Sequence, residues 1–130
     1  MPTQVTSFIA YFSDQADLTE TGEVVIKQFG ETEYNGKFIP MFAGLAIDEL
    51  DGNPLVWPVF SIGSNASNYN DIAAAQTYLL ILGLQLRGNL TAVSGYGGEM
   101  KAKITTPASA LLGELTMLGK FFVFGRLQPN

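Results

Sequence analysis

The side chains of this sequence that could do chemistry are mostly carboxylates. They fall in three groups: Asp14, Asp17, Glu20 and Glu23; Glu31 and Glu33; and Asp48, Glu49 and Asp51. A glycoside hydrolase needs two carboxylates set across a sugar, one acting as acid and one as base or nucleophile. No spacing within these groups singles out such a pair. All three lie in polar stretches, where acidic residues ordinarily solvate a surface. The chain has no histidine, which removes the commonest general base and transition-metal ligand. It has no cysteine, so it has neither a disulfide framework nor a thiolate metal site. A serine nucleophile would need a lysine as base, and no S-x-x-K occurs. Asp48, Asp51 and Asn53 bring oxygens close together, but Leu50 breaks the alternating ligand pattern of a calcium loop. Gly95-Tyr96-Gly97-Gly98 precedes a strand, so no helix N-terminus completes a phosphate cradle. These residues assign no catalytic side chain, no metal and no cofactor, and the expectation is a protein that is not an enzyme.

Asn65-Ala66-Ser67 and Asn89-Leu90-Thr91 fit the N-glycosylation pattern. Chance accounts for both in a chain rich in Asn, Ser and Thr. The start, MPTQVTSFIAYFSDQ, has no basic region followed by a long apolar core, so no secretory signal is expected. The longest apolar stretch, Ile72 to Leu86, is interrupted by Gln76, Thr77 and Gln85. It falls short of the roughly 20 residues needed to cross a bilayer, so no membrane insertion is expected. The sequence leaves localisation open, with a virion as the location if the protein is viral.

Composition bounds the partners. The 130 residues are 47% hydrophobic and only 15% charged, with a net charge of -5. Soluble domains average about 25% charged residues, and monomeric surfaces carry roughly 25–35%. The shortfall is met in two ways: Ser, Thr, Asn, Gln and Gly solvate part of the exterior, and part is expected to be buried against another copy or against other structural proteins of one assembly. The seven cations are spread along the chain, whereas nucleic-acid binding draws on a basic face. General attraction to nucleic acid is therefore not expected.

The aromatic residues supply the candidate contacts. Tyr69 and Tyr96 sit in Gly/Asn/Ser-rich stretches, where exposed tyrosines often mark a partner. Phe121, Phe122 and Phe124 lie on one strand-like run. Side chains alternate across a strand, so Phe121 faces away from Phe122 and Phe124, and both faces are apolar. One of those faces is a candidate subunit interface. Tyr96 with Lys101 and Lys103 is the only grouping suited to an alternative role, a small module that binds carbohydrate or single-stranded nucleic acid by stacking.

The elements that must hold these residues read as short strands. Ser7–Ser13, Glu23–Phe29, Lys37–Ile47, Leu55–Ile62, Leu90–Ser94 and Glu99–Thr106 are strand-like, with Pro40 expected at an edge or bulge. Asn35-Gly36 and Asp51-Gly52 are hairpin-turn dipeptides. Leu111–Leu118 and Phe121–Gln128 flank Gly119-Lys120 and read as a closing hairpin. The alanine-rich Asp71–Tyr78 is expected to be a short helix capped by Asn70 or Asp71. Alternating leucines then suggest a strand to Arg87 and a turn at Gly88-Asn89. The expectation is a single mainly β domain over residues 1–130. It is a small antiparallel sandwich or barrel of about eight short strands with one short helix near 70–79. Its expected role is a structural subunit that self-associates into a symmetric assembly, such as a virion shell or its decoration.

Overall fold

The computed structural model describes residues 7–78, 84–85 and 92–129. Its strands, in chain order, are β1 (Ser7–Phe12), β2 (Ala16–Asp17), β3 (Gly22–Gln28), β4 (Gly36–Asp51), β5 (Pro54–Val56) and β6 (Val59–Gly63), then β7 (Ala73–Thr77), β8 (Leu84–Gln85), β9 (Val93–Ser94), β10 (Glu99–Thr106), β11 (Ser109–Ala110) and β12 (Thr116–Pro129). The fold is mainly β, as the short runs between Gly, Pro and Asn led us to expect, and the sheets do not close into a barrel. One sheet runs β1-β12-β4-β8, with β2 also on β12 and β9 also on β4. The second runs β3-β10-β6-β7, and β5 pairs with β11 in a small third sheet. The strand pairings are antiparallel.

The two larger sheets share one apolar core. Met100, Ala102 and Ile104 of β10 point inward and are buried, as their alternation with Lys101, Lys103 and Thr105 requires. From the other sheet Phe121 and Val123 point inward and are fully buried. Phe121 meets Phe60 of β6 edge-to-face, with ring centroids 5.3 Å apart. Tyr11 packs in the same way on Phe29 and Phe38.

Several local readings are corrected. The expected helix over Asp71–Tyr78 is instead the edge strand β7, with Ile62 opposite Ala73 and Phe60 opposite Gln76. Alanine's helix preference is worth less than about 1 kcal/mol per residue over most others. Pairing with β6 while burying Ile72, Ala73 and Tyr78 outweighs it. The two hairpin dipeptides turn the chain without making hairpins. Asn35-Gly36 carries it from β3 in one sheet to β4 in the other, and Asp51-Gly52 carries it from β4 to β5. Gly119-Lys120 is no turn at all, because β12 runs straight through it. Gly119 is needed there for close approach: a Cβ would stand 2.7 Å from the Ala46 carbonyl of β4. The count of about eight strands and the closing hairpin therefore give way to one long central pair, β4 with β12. The expected bulge at Pro40 is present, as a register shift where Pro40 meets Gly125. Of the strand expected up to Arg87, Leu84–Gln85 forms β8. The rest of it, the Gly88-Asn89 turn and the Asn89-Leu90-Thr91 triplet lie outside the described residues.

Candidate interface: a phenylalanine-lined sheet face

The sandwich has two outer faces of different chemistry. On the β10 sheet the outer face is mostly polar, with Glu23, Lys101, Lys103 and Thr105 beside an exposed Val25, and it is covered in part. Residues Gly63–Asp71 fold over it as the β6–β7 loop. Asn65 Oδ1 accepts the backbone N–H groups of Asn70 (2.8 Å) and Asp71 (3.3 Å). The Asp71 carboxylate accepts the Ser64 N–H (2.6 Å) and Oγ–H (2.8 Å). Asp71 thus closes the loop behind it and does not cap a helix ahead. The loop also needs Gly63, where a Cβ would run into the Tyr69–Asn70 peptide.

Ser67 and Tyr69 adopt left-handed backbone angles, φ 68° and 46°, which non-glycine residues take only when their surroundings hold them there. Tyr69 is held on every side. Its N–H donates to the Asn65 carbonyl at 2.8 Å and its hydroxyl to Glu99 Oε1 at 3.0 Å. The Lys101 ammonium sits 5.2 Å from its ring centroid. The expectation of an exposed Tyr69 is therefore overturned: the side chain is buried.

Lys101 also pairs with Glu23 at 3.3 Å, and Lys103 donates to the Ser67 carbonyl at 2.7 Å. Both lysines proposed for a stacking platform thus have partners within the subunit. Tyr96 does stand exposed, in the turn before β10.

Titration offers a check on this packing. Burial pushes the Tyr69 phenol up from its usual value, and the bond to Glu99 adds to the shift. Burial, and then the nearby Glu33 carboxylate, push Tyr11 the same way. A group that holds its proton more tightly when folded contributes its full stability below its unfolded pKa and loses it as pH rises through the folded one. Stability is therefore expected to fall as pH climbs past about 10. Urea unfolding midpoints measured across that range should decline, and Tyr69→Phe should flatten the decline.

The other outer face, on the β1-β12-β4 sheet, is aromatic. Phe122 and Phe124 point out from β12 while Phe121 points in, as strand alternation requires. The structure adds three phenylalanines that were not among the candidates from sequence: Phe8 and Phe12 of β1 and Phe42 of β4. They meet across the strands in two ladders, the first stacked and the second tilted by 35°. One runs Phe42–Phe124–Phe8, with centroids 5.4 and 6.0 Å apart and planes within 14° and 6°. The other joins Phe122 to Phe12 at 5.7 Å. Both ladders end on β1, where Phe8 is 60% and Phe12 58% exposed. The clue was the alternation in SFIAYF: Phe8, Ala10 and Phe12 must share a face opposite Ile9 and Tyr11. Monomers seldom leave large apolar patches open, and patches of this kind mark interaction sites.

The carboxylates offer a weaker site. Asp14, Asp17, Glu20 and Glu23 line one surface cleft of about 440 Å³ with Val24, Val25 and Ile104. Glu33 is held in an ion pair with Lys27 at 2.7 Å, and Asp48 accepts the Gln15 amide at 2.9 Å. Among the described residues no group of three or more acidic side chains is placed to hold a metal ion. No described helix is long and apolar enough to cross a membrane.

No protein-family model matches the chain, and no curated protein matches it closely. Among solved structures, it is similar in fold to a chain of the cyanophage Pam1 capsid asymmetric unit. The TM-score is 0.51 at 14% sequence identity, over 96% of this chain and 90% of that one. At that identity the likeness is one of fold.

Proposed function

We propose that this chain is a non-enzymatic structural subunit that self-associates into a symmetric assembly, as a component or decoration of a virion shell. The observation that carries the reading is the phenylalanine face: five rings on one side of a sheet, the outermost two more than half exposed. Burying a phenylalanine contributes about 1.5–3 kcal/mol, so a partner covering these rings gains substantially. The low charge content points the same way. Likeness of fold to a chain of a phage capsid supports a virion as the setting. In this reading Phe122 and Phe124, joined by Phe8, Phe12 and Phe42, are interface residues, and Phe121 belongs to the core. Phe121 and Tyr69, both candidates on sequence grounds, serve the subunit's own packing instead.

The alternative of a carbohydrate or single-stranded nucleic-acid module has less support, since Lys101 and Lys103 are both engaged within the subunit. Light scattering tests the proposal directly. The mass is expected to rise above 14.0 kDa with concentration and to settle at a closed multiple or grow into particles. A constant monomer mass up to millimolar protein would refute it.

A further inference from the structure

We propose that two copies pair through the outer edge of β1, which no described strand occupies, antiparallel and about a two-fold axis at Ala10, and so join their phenylalanine ladders into continuous stacks. This rests on the self-association reading and names its partner surface.

The ladder geometry sets which backbone groups are free. Ser13 N–H donates to the Phe121 carbonyl at 2.8 Å, and Phe12 stands opposite Phe122. In an antiparallel pair, bonded and non-bonded residues alternate. Tyr11, Ile9 and Ser7 therefore turn their N–H and C=O groups toward β12, while just beyond the strand Ser13 donates its N–H to Phe121 and accepts the Phe121 N–H on its hydroxyl oxygen. Phe8, Ala10 and Phe12 turn theirs away from it, to the outer edge. Among the described residues no strand pairs with that edge.

Nothing in β1 protects it. Natural edge strands are blunted by charge, proline, bulges or shortness. The edge strand of the other sheet, β3, carries Glu23 and Lys27 and has a register shift against β10. SFIAYF has no charge and no proline, and it keeps an unbroken register over six residues. Self-pairing puts no like charges opposite one another.

The two-fold at Ala10 sets Phe8 opposite the partner's Phe12 and Ala10 opposite the partner's Ala10. Each of these pairs uses outward-facing backbone groups, so each exchanges two hydrogen bonds. The rings then run Phe42–Phe124–Phe8 into the partner's Phe12 and the partner's Phe122. A second stack runs back by symmetry, and the rings that end each ladder lose their exposure.

At 60% and 58% exposure two phenylalanines offer roughly 180–300 Å² per copy. A stable dimer buries about 800 Å² per partner. The link is therefore weak alone and gains strength by repetition within a shell.

Ala10→Pro tests it. Proline removes the outward N–H at the axis and spares the β1–β12 bonds, which Ile9 and Tyr11 make. The parent's mass should rise toward twice the monomer's with concentration. The amides of Phe8, Ala10 and Phe12 should then exchange more slowly with solvent. Ala10→Pro should pair about a hundred-fold more weakly. Ala10→Lys and Ala10→Glu keep the test open if proline disturbs folding: each should stay monomeric alone, and a one-to-one mixture should pair. Association of Ala10→Pro as strong as the parent's, with those three amides unchanged by concentration, would overturn edge pairing and leave assembly through the sheet face standing. A mixture that fails to pair would overturn the register. A parent that never associates would overturn both readings.

Discussion

Phe121→Ala is expected to lower the free energy of unfolding by about 3–5 kcal/mol, the usual cost of emptying a buried phenylalanine site. Phe121 is fully buried and packs edge-to-face on Phe60 across the two sheets. Its removal leaves a cavity at the seam of the sandwich, and the long β4–β12 pair cannot collapse into it without losing register. Small domains hold only about 5–15 kcal/mol in total. The variant should therefore unfold at a much lower urea concentration, with an unchanged slope if it still unfolds in one step. A midpoint within experimental error of the parent's would show that the side chain is not core.

Phe8→Asp combined with Phe12→Asp is expected to do the opposite: to abolish association while leaving the subunit folded. Both rings are more than half exposed in the single subunit, so the fold loses little when they go. Each contributes about 1.5–3 kcal/mol when a partner covers it. Together that is at least a hundred-fold in dissociation constant, since 1.4 kcal/mol is about tenfold, before the repulsion of carboxylates brought together is counted. Sedimentation should find monomer at concentrations where the parent assembles, and the melting temperature should move by a few degrees at most. An unfolded double variant would place these rings in the core, and one that assembles like the parent would remove the phenylalanine face from the interface. The contrast with Phe121→Ala separates the two faces of one sheet by two different readouts.

The same contrast shows how much was legible along the chain. That Phe121 opposes Phe122 and Phe124 follows from strand alternation alone, and the structure has Phe121 buried with the other two outside it. That one of the two faces is open could not be read this way, because an apolar face looks the same whether a second sheet or solvent lies beyond it. SFIAYF carries the same two-faced pattern, so alternation alone does not show that Phe8 and Phe12 stay exposed. Phe42 was hidden for another reason: the shift in register beside Pro40 and Gly125 changes which β4 residue shares a face with Phe124.

Tyr69 marks the limit most clearly. Loop composition pointed to exposure. Burial came from residues 30 and 32 positions further on, Glu99 and Lys101, which β10 brings beneath the loop. The alanines of Asp71–Tyr78 gave a real local preference for helix, yet a fraction of a kilocalorie per residue yields to a neighbouring strand that offers hydrogen bonds and burial. The dipeptides Asn35-Gly36, Asp51-Gly52 and Gly119-Lys120 show the same limit. The first two reverse the chain without pairing its flanks, and the third does not turn at all. Composition and alternation were enough to establish a β protein that lacks histidine and cysteine, carries little charge and keeps apolar residues on both sides of a strand. Those properties are local and need no partner. Which strands pair, which loop covers which face, and which aromatic face stays open depend on contacts between residues far apart in sequence, and only the folded chain decides them.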